Sequence, residues 1–521
     1  MKIKRLIFVA VIMLAVVSCK KEKTTWDTNW SAPLVHGNLT INDLVPSDYT
    51  TTNGDNYLSI VYNETAYSVS IDSIIQLPDT SIVESTAFAF PLDVNPGFIW
   101  ADSADQPWNL GDIEIKQVIA KEGTVTFKLT SEWGGKTKMT MDFPKIILNG
   151  TPFYQSYYLP AGSQANPTVS IDAVDMSGYL MDLTGVSGDL YNTLSGLFLI
   201  ESDEDTASFS VSTSDSVFYE ISFTDVVVDY ARGYFGQHTF SDTTSIKLPF
   251  MDAVLSGAVD VDSIDMTVSI MNGFNLIAQA KLTQMSGINS KTGGITDLSF
   301  PQLGSNLNIN PATGGIYDWQ YSAYPITINN TNSNIAAFIE NLPDEILLGY
   351  EVIINPNGNI TAGTDEKFPG STLDIVVNGE FPLDIGANQL TLTDTFDISY
   401  TGSESYTGNN AEIILDYTNS FPLGADTKLY LLDDNNVVLD SVVADNQLIS
   451  GTYNGNNYLT TPYSGSILFN LNSQHISYLE EAKKIALIVA FTTDNAQKVK
   501  IDASANLDFN LRSNLQISIH L

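Results

Sequence analysis

The chain has 521 residues and a formal net charge of −37 at pH 7, with 23 basic residues against 60 acidic ones. Nucleic acids and anionic lipid headgroups are poor partners for such a chain, because binding them requires clustered lysine and arginine. The single cysteine, Cys19, excludes an intramolecular disulfide. The length predicts two to four domains held together by their cores.

The N-terminus has the pattern of an export signal. Lys2, Lys4 and Arg5 precede an unbroken apolar run over residues 6–17, which matches the basic and apolar regions of a secretory signal peptide. Twelve helical residues cover roughly 18 Å, whereas a membrane span must cross about 30 Å of hydrocarbon. We therefore expect residues 1–18 to be a signal peptide and not a membrane anchor.

The signal ends in Val16-Val17-Ser18-Cys19, which resembles the lipobox of bacterial lipoproteins. The resemblance implies that Cys19 becomes the first residue of the mature protein and carries a diacylglycerol on its thiol, so that the membrane is a partner through this lipid. Lys20 in the following position implies an outer-membrane destination, facing either the periplasm or the outside. The alternative is an ordinary cleavable signal followed by a chance cysteine.

The rest of the chain is predicted to consist of a tether and three β units. Residues 19–50 are interpreted as a lipidated tether and entry segment, followed by β domains over 51–180 and 181–400, the second with two short helices, and a C-terminal unit over 401–521. Trp26 and Trp30 lie in a stretch that resembles the start of uncharacterised lipoproteins of Bacteroidota. That resemblance brings no known activity.

Period-2 alternation dominates after the tether. Val125, Phe127 and Leu129 fall on one face of a predicted strand, and residues 138–143 and 507–521 alternate in the same way, as half-buried strands do. The sequence therefore predicts an all-β, mainly antiparallel protein, built as an elongated set of β-sandwich or tubular units with a few short helices.

A degenerate repeat joins some of these strands. In residues 376–385, 416–425 and 269–278 an alternating strand runs into asparagine, then phenylalanine, often proline, and a second strand. Proline lacks a donor and asparagine tolerates unusual backbone angles, so each copy predicts a kink or bulge. The unit resembles the strand repeat of late-embryogenesis-abundant type 2 sandwiches and, more loosely, tubular lipid-binding domains; convergence on any curved antiparallel sheet would give the same pattern.

Three segments have helical periodicity. Ser333 precedes apolar residues at 335, 338, 339 and 342, Ser473 is positioned to cap residues 474–484, and Leu190, Leu194, Leu197 and Phe198 form a third stripe. We expect each helix to close the end of a β unit.

The sequence carries no common catalytic signature. HExxH, GxSxG, Walker A and GxGxxG patterns are absent and the four histidines are scattered, so we expect a non-enzymatic protein without a cofactor. A glycosidase-like carboxylate pair remains open, since sixty acidic residues could place two across a cleft. Acidic clusters at 201–205 and 433–436 could bind calcium, although neither matches an EF-hand loop and a solvated turn is the simpler interpretation.

Aromatic clusters are the remaining signal for ligand binding. Such rings stack on sugars or line apolar grooves, although alternating aromatics also fill cores. The candidate ligand-binding side chains are Trp319, Tyr321, Tyr324, Phe381 and Phe421. A further aromatic group comprises Phe153, Tyr154, Tyr157 and Tyr158.

Three functions follow from the sequence. The first is a binding or scaffolding role at the outer membrane, with envelope proteins or glycans as partners. The second is carriage of an apolar ligand or lipid in a groove whose walls include Phe381, Leu383, Phe421 and Leu423. The third is glycan binding or hydrolysis at the cell surface.

Overall fold

The computed structural model describes residues 25–52, 54, 56–251, 254–261, 263–398, 410–453, 460–493 and 497–520. Strands make up 63% of the described residues and the sheets are mostly antiparallel, which confirms the predicted all-β class. The signal peptide and Cys19 lie outside the described residues.

The strands alternate buried and exposed side chains along much of their length. Those of the first half are β1 (Thr25–Thr40), β2 (Thr50–Thr52), β3 (Leu58–Val69), β4 (Thr80–Ala87), β5 (Leu92–Val94), β6 (Gly97–Pro107), β7 (Glu114–Ser131), β8 (Thr137–Leu148), β9 (Thr151–Leu159), β10 (Thr168–Asp175), β11 (Leu180–Asp182), β12 (Thr193–Ser202), β13 (Phe209–Val211), β14 (Ser216–Tyr234), β15 (His238–Lys247) and β16 (Val254–Val261).

The remaining strands follow in the second half. They are β17 (Asp265–Asn272), β18 (Ala278–Asn289), β19 (Gly294–Asp297), β20 (Leu307–Ile309), β21 (Ser322–Asn329), β22 (Glu345–Ile354), β23 (Asp365–Lys367), β24 (Leu373–Pro382), β25 (Asp384–Asp397), β26 (Asn410–Asn419), β27 (Gly424–Leu432), β28 (Val438–Val443), β29 (Thr452–Tyr453), β30 (Thr460–Thr461), β31 (Tyr463–Leu471), β32 (Lys484–Thr492), β33 (Val499–Lys500) and β34 (Asn506–His520). The helices are α1 (Ile41–Leu44), α2 (Ile335–Glu340) and α3 (Ser473–Glu481), with 3₁₀ turns at Ser47–Tyr49 and Pro249–Met251.

The N-terminal part is built on a ten-stranded sheet in the order β23-β14-β7-β11-β8-β12-β6, with β4, β9 and β10 pairing at its sides. Its inward side chains form an aromatic core. Phe153 packs 5.6 Å from Phe127 and 5.8 Å from Phe143 between ring centroids. The alternation predicted for residues 124–129 and 138–143 thus places its apolar face in the interior.

The other large sheets form two sandwich units with corresponding strand orders. The first unit combines β3-β24-β17-β21 with β15-β22-β18-β19, and the second combines β1-β34-β26-β31 with β25-β32-β27-β28. Rings from the two sheets pack on each other in each unit, Tyr67 on Tyr350 in the first and Phe396 on Phe509 in the second. Each unit inserts one helix between corresponding strands, α2 between β21 and β22 and α3 between β31 and β32. The second unit also recruits the N-terminal strand, since β1 pairs with β34 from Thr25 opposite His520 to Thr40 opposite Asn506.

Strand pairing crosses both predicted domain boundaries. β7 pairs with β14 across residue 180, and β25 pairs with β32 across residue 400. One apolar core includes residues from all three predicted units. The boundaries at 180 and 400 stay predictions.

Two helix predictions need correction. The stripe from Leu190 to Phe198 is not helical: β12 takes residues 193–202 and pairs with β6 and β8. Its period is two, because Leu194, Phe198 and Ile200 are buried whereas Leu197 is 42% exposed. Helix α3 was predicted over residues 474–484 with Ser473 as its cap, but it begins at Ser473, one residue earlier, because Asn472 is the cap. It ends at Glu481, where the following Ala482 backbone is extended.

The helix predicted after Ser333 is present as α2 (Ile335–Glu340), and its apolar positions 335, 338 and 339 are buried. The Ser333 hydroxyl accepts a hydrogen bond from the Ile335 amide at 3.2 Å, although Asn334 is the residue at the cap position. The helical periodicity in this segment therefore correctly identified the buried face.

A buried carboxylate gives the fold a pH dependence. Asp365 is 1% exposed, and this burial raises the pKa of its carboxyl although Asn355 donates a hydrogen bond to it at 2.9 Å. Because the folded pKa is raised, the charged form opposes folding above that pKa, and the penalty disappears as the pH falls towards the unfolded value.

Replacing Asp365 by asparagine is therefore expected to raise the free energy of unfolding at pH 7 by about 1 kcal/mol. The advantage over the wild type should shrink as the pH is lowered towards 4, since the wild-type carboxyl then becomes neutral. Urea unfolding of both proteins across this range checks the prediction. An Asp365→Asn protein that is less stable than wild type at pH 7 would contradict it.

Candidate functional site

A buried asparagine shapes the corner between β26 and β27. The Asn419 side chain is 0% exposed; its Oδ1 accepts the Phe421 amide at 2.9 Å, and its Nδ2 donates to the carbonyls of Leu423 at 2.9 Å and Ile449 at 3.0 Å. The side chain thereby substitutes for ladder partners where the strand bends. The corner points Phe421 and Leu423 inward.

The same corner occurs in the first sandwich unit. Asn272 accepts the Phe274 amide and donates to the carbonyls of Leu276 and Asn310, each at 3.0 Å. Two copies of the sequence repeat therefore share one structure. The third copy differs, because Asn378 lies within β24 and pairs with strands on both sides. Its predicted kink falls later, at Leu383, where the chain bends after Pro382 and continues as β25 in another sheet.

An apolar cavity lies where the two sandwich units meet. Its volume is about 120 Å³. All twenty lining residues are apolar: Ile41, Val45, Ile60, Phe250, Met251, Val254, Val259, Val261, Ile339, Leu342, Phe381, Pro382, Leu383, Ile385, Leu390, Leu392, Phe421, Leu423, Phe491 and Ile501. The structure thus places Phe381, Leu383, Phe421 and Leu423, the four residues named for an apolar groove, around one space, which we call the main cavity.

The walls come from distant parts of the chain. Phe381 lies near the C-terminal end of β24 in the first unit, whereas Phe421 and Phe491 belong to the second unit. Phe421 and Phe491 meet edge to face, with centroids 6.1 Å apart and planes at 65°. On the first-unit side, burial raises the pKa of the nearby Tyr62 hydroxyl, which donates to the Lys247 carbonyl at 3.2 Å and stays neutral.

A second cavity of about 150 Å³ adjoins the first. The two share Leu392, Phe421 and Phe491, and the second also contacts two polar residues, Thr393 and Asp394. The remaining lining residues are Leu39, Leu487 and Val489. The phenylalanine pair is thus the partition between an apolar space and one with a polar end.

Strand β16 covers the solvent side of the main cavity, and we call Val254–Val261 the strap. It pairs with β25 at the edge of its sheet, and its lining residues Val254, Val259 and Val261 keep partial exposure. The pairing is irregular between Val254 and Ala258. Gly257 has φ +119°, and a Cβ there would collide with the backbone of Gln389, so the close approach of the strap requires glycine.

Two lysines fasten the strap at its ends. Lys291 donates to the Met251 carbonyl at 3.0 Å and to the Val254 carbonyl. Lys498 donates to the Val261 carbonyl at 3.1 Å and pairs with Asp260 at 3.0 Å. Helix α2 also packs on the strap, and Glu340 accepts a hydrogen bond from the Val261 amide at 3.4 Å. The outer edge of the strap has no second strand in the described sheet.

The other predicted aromatic group lies elsewhere. The Trp319 ring stacks on Phe368 with centroids 6.1 Å apart and meets Tyr321 edge to face at 4.8 Å. Its Nε1 donates to the Pro369 carbonyl at 3.2 Å. Tyr324 is half-buried against the core. None of Trp319, Tyr321 and Tyr324 contributes to the cavity that Phe381 and Phe421 line.

The four aromatic residues of β9 lie on opposite faces of the strand, two buried and two exposed. Phe153 and Tyr157 are each 7% exposed, whereas Tyr154 and Tyr158 are 61% and 57% exposed. Half of this group is therefore core, and the other two rings lie on the outer surface of the sheet.

The acidic clusters have local partners. Glu201 pairs with Lys138 at 3.1 Å and Asp203 pairs with Lys136. Asp433 accepts the amides of Asn435 and Val437, both at 2.8 Å, in a turn. Among the described residues, no three His, Cys, Asp or Glu side chains are grouped as a metal would require.

Within the described ranges, no helix has both the length and the apolar character needed to cross a membrane.

Comparisons with known proteins give no family. No family model matches the chain, and no curated protein matches it. A protein of Parabacteroides distasonis named as a secreted protein is 11% identical, with 94% of this chain and 99% of that chain covered and a TM-score of 0.27. The VP2 subviral particle of infectious bursal disease virus is 9% identical, with 92% and 86% covered and a TM-score of 0.11. TM-scores this low do not establish a shared fold or function.

The sequence reasoning missed the strap and Phe491. Val259 and Val261 alternate like many other short strands, so nothing marks them as cavity walls. Phe491 ends the apolar run of β32, which is typical of a buried strand. The register that brings these residues to the cavity depends on contacts with β25, more than 120 positions away from the strap.

Proposed function

We propose that this chain is a lipid-anchored protein of the bacterial cell envelope that binds an apolar ligand in the main cavity. The lipobox at Cys19 supports the anchor. The wholly apolar lining of a space of about 120 Å³ supports the ligand, and it is the observation that carries the proposal. The role is binding and carriage, without a chemical step.

The energetics favour an occupant. Protein interiors are close-packed, whereas the apolar side chains around this space of about 120 Å³ have few dispersion contacts across it. A hydrocarbon in the cavity supplies such contacts and removes its own surface from water. An apolar cavity of similar volume binds benzene.

The scaffolding and glycan roles stay predictions without a defined site. The exposed rings of Tyr154 and Tyr158 are suitable for stacking on sugars, and they lie on the outer surface of a sheet, beside Lys136 and the hydroxyl pair of Thr140 and Ser156. The apolar cavity is the better-defined site.

Entry is proposed to occur by displacement of the strap. Ala258 lies opposite Asn388 in the β16–β25 ladder and both are exposed, so a disulfide can join them within normal Cα separations. In a protein with Ala258→Cys and Asn388→Cys, oxidation is expected to slow exchange of hexafluorobenzene at least 10-fold, and reduction should restore it. Fluorine NMR of bound and free probe measures the rate.

The wild-type protein under oxidising conditions is the control. Because its single cysteine is Cys19, oxidation should leave its exchange rate unchanged. The absence of any bound signal in the wild type would contradict the proposed function. Equal exchange rates in the oxidised and reduced double variant would contradict entry at the strap.

A further inference from the structure

We infer that the ligand is a single-tail amphiphile whose hydrocarbon occupies the main cavity and whose end group, a hydrogen-bond donor without negative charge, lies at Thr393 and Asp394. This inference rests on the proposed function and specifies its ligand class. It starts from the relation between the two adjoining cavities.

Three residues line both cavities. Leu392, Phe421 and Phe491 are the residues that both cavities contact. Side chains can change rotamer at far lower cost than a strand can move. A tail that displaces the ring pair by a small rotation therefore passes from one cavity into the other.

The volumes of the two cavities limit the length of the hydrocarbon tail. An apolar cavity of 150 Å³ accommodates a ring of six carbons, so the main cavity alone, at about 120 Å³, suits about six carbon atoms. With the second cavity of about 150 Å³ the joined space suits roughly twelve carbon atoms. An elongated chain matches this arrangement better than a compact ring system does.

The polarity of the two cavities determines which end of the ligand each one holds. The main cavity has an entirely apolar lining, so a polar end group placed there would lose its hydrogen bonds to water. The second cavity reaches Thr393, which is exposed, and Asp394, which is half-buried. Only the second cavity therefore combines apolar wall with polar groups and access to water.

Charge restricts the end group. The Asp394 carboxylate accepts the Thr395 amide at 2.8 Å and accepts further hydrogen bonds from a hydroxyl or ammonium group. A fatty-acid carboxylate or a phosphate in the same place would meet like charge, in a chain whose net charge is −37. The ligand class is thus a long-chain alcohol or amine rather than a fatty acid.

Displacement of hexafluorobenzene from the full-length protein tests the inference. We expect 1-dodecanol and dodecylamine to displace the probe with at least 10-fold lower Kd than 1-hexanol, and dodecanoate to bind about 10-fold more weakly than 1-dodecanol. The Asp394→Asn protein should remove most of the difference between dodecanoate and dodecanol. Asp397→Asn is the matched control, because Asp397 is an exposed residue of the same strand that lines neither cavity.

The outcomes separate the two proposals. Binding of hexafluorobenzene together with equal affinities for dodecanoate and dodecanol in wild type and in the Asp394→Asn protein would overturn the ligand class and leave the proposed function standing. Failure of the wild type to bind hexafluorobenzene would overturn both. Loss of charge discrimination in the Asp394→Asn protein, with discrimination retained in the Asp397→Asn protein, would support the inference.

Discussion

Replacing Asn419 by alanine is expected to lower the free energy of unfolding by about 4 kcal/mol. The substitution leaves the Phe421 amide and the carbonyls of Leu423 and Ile449 without their present partner. Asn419 is 0% exposed, so water cannot replace the amide unless the corner opens, and each unsatisfied buried group costs about 1–3 kcal/mol. Urea unfolding followed by tryptophan fluorescence measures the loss.

Asn378→Ala provides the matched control. Asn378 occupies the corresponding position in the third copy of the sequence repeat, but it lies half-buried within a continuous strand. Its replacement should change stability by about 0.5 kcal/mol or less. Similar losses for the two variants would show that the asparagine corner is not the source of the stability assigned to it.

Filling the main cavity from the strap is expected to abolish ligand binding. The Val259 side chain lines the cavity and is half-buried, and the indole ring of a Val259→Trp protein is large enough to occupy much of a space of about 120 Å³. Hexafluorobenzene affinity should fall at least 10-fold, which corresponds to about 1.4 kcal/mol. Stability should remain equal to wild type or increase, because the new ring replaces a void.

The neighbouring residue supplies the control for this substitution. Ala258 lies on the opposite face of the strap and is exposed, so Ala258→Trp should leave probe affinity within about twofold of wild type. Calorimetric titration of all three proteins gives the comparison. Undiminished affinity in the Val259→Trp protein would place the probe outside the main cavity.

Local pattern was sufficient for the fold class and for part of the site. Alternation over residues 124–129 and 507–511 predicted strands whose apolar faces are buried, because period two is a property of any half-buried strand. The sequence Asn-Ser-Phe-Pro-Leu, which starts at Asn419, predicted a kink or bulge, and the structure has the asparagine corner there. Its side-chain hydrogen bonds are local, within four residues, apart from the bond to Ile449.

Non-local pairing explains what the sequence could not supply. The segment at Leu190–Phe198 satisfies helical spacing, and only pairing with β6 and β8 decides for a strand. Asn378 has the repeat sequence, but ladders on both sides continue β24 past it, and the chain bends at Leu383 instead. The strap contributes three cavity-lining valines through its register with β25, and no local signal specifies that register.

Sequence pattern also could not distinguish an aromatic residue that lines the cavity from one that packs elsewhere. Trp319 and Phe421 are both large rings near turns, and sequence pattern gave them equal standing as ligand contacts. Phe421 reaches the cavity because its corner faces the junction of two sandwich units. Trp319 packs on Phe368 in a separate small cluster. The distinction depends on which surfaces the two units bring together.

Native mass spectrometry of the protein purified from its own membranes tests whether the main cavity holds a ligand in the cell. We expect a stoichiometric, non-covalent adduct on the wild-type protein that organic solvent extracts as a single-tail compound, and its loss from the Val259→Trp protein. A wild-type protein without any adduct, or an equal adduct on both proteins, would contradict a ligand-binding role for the main cavity.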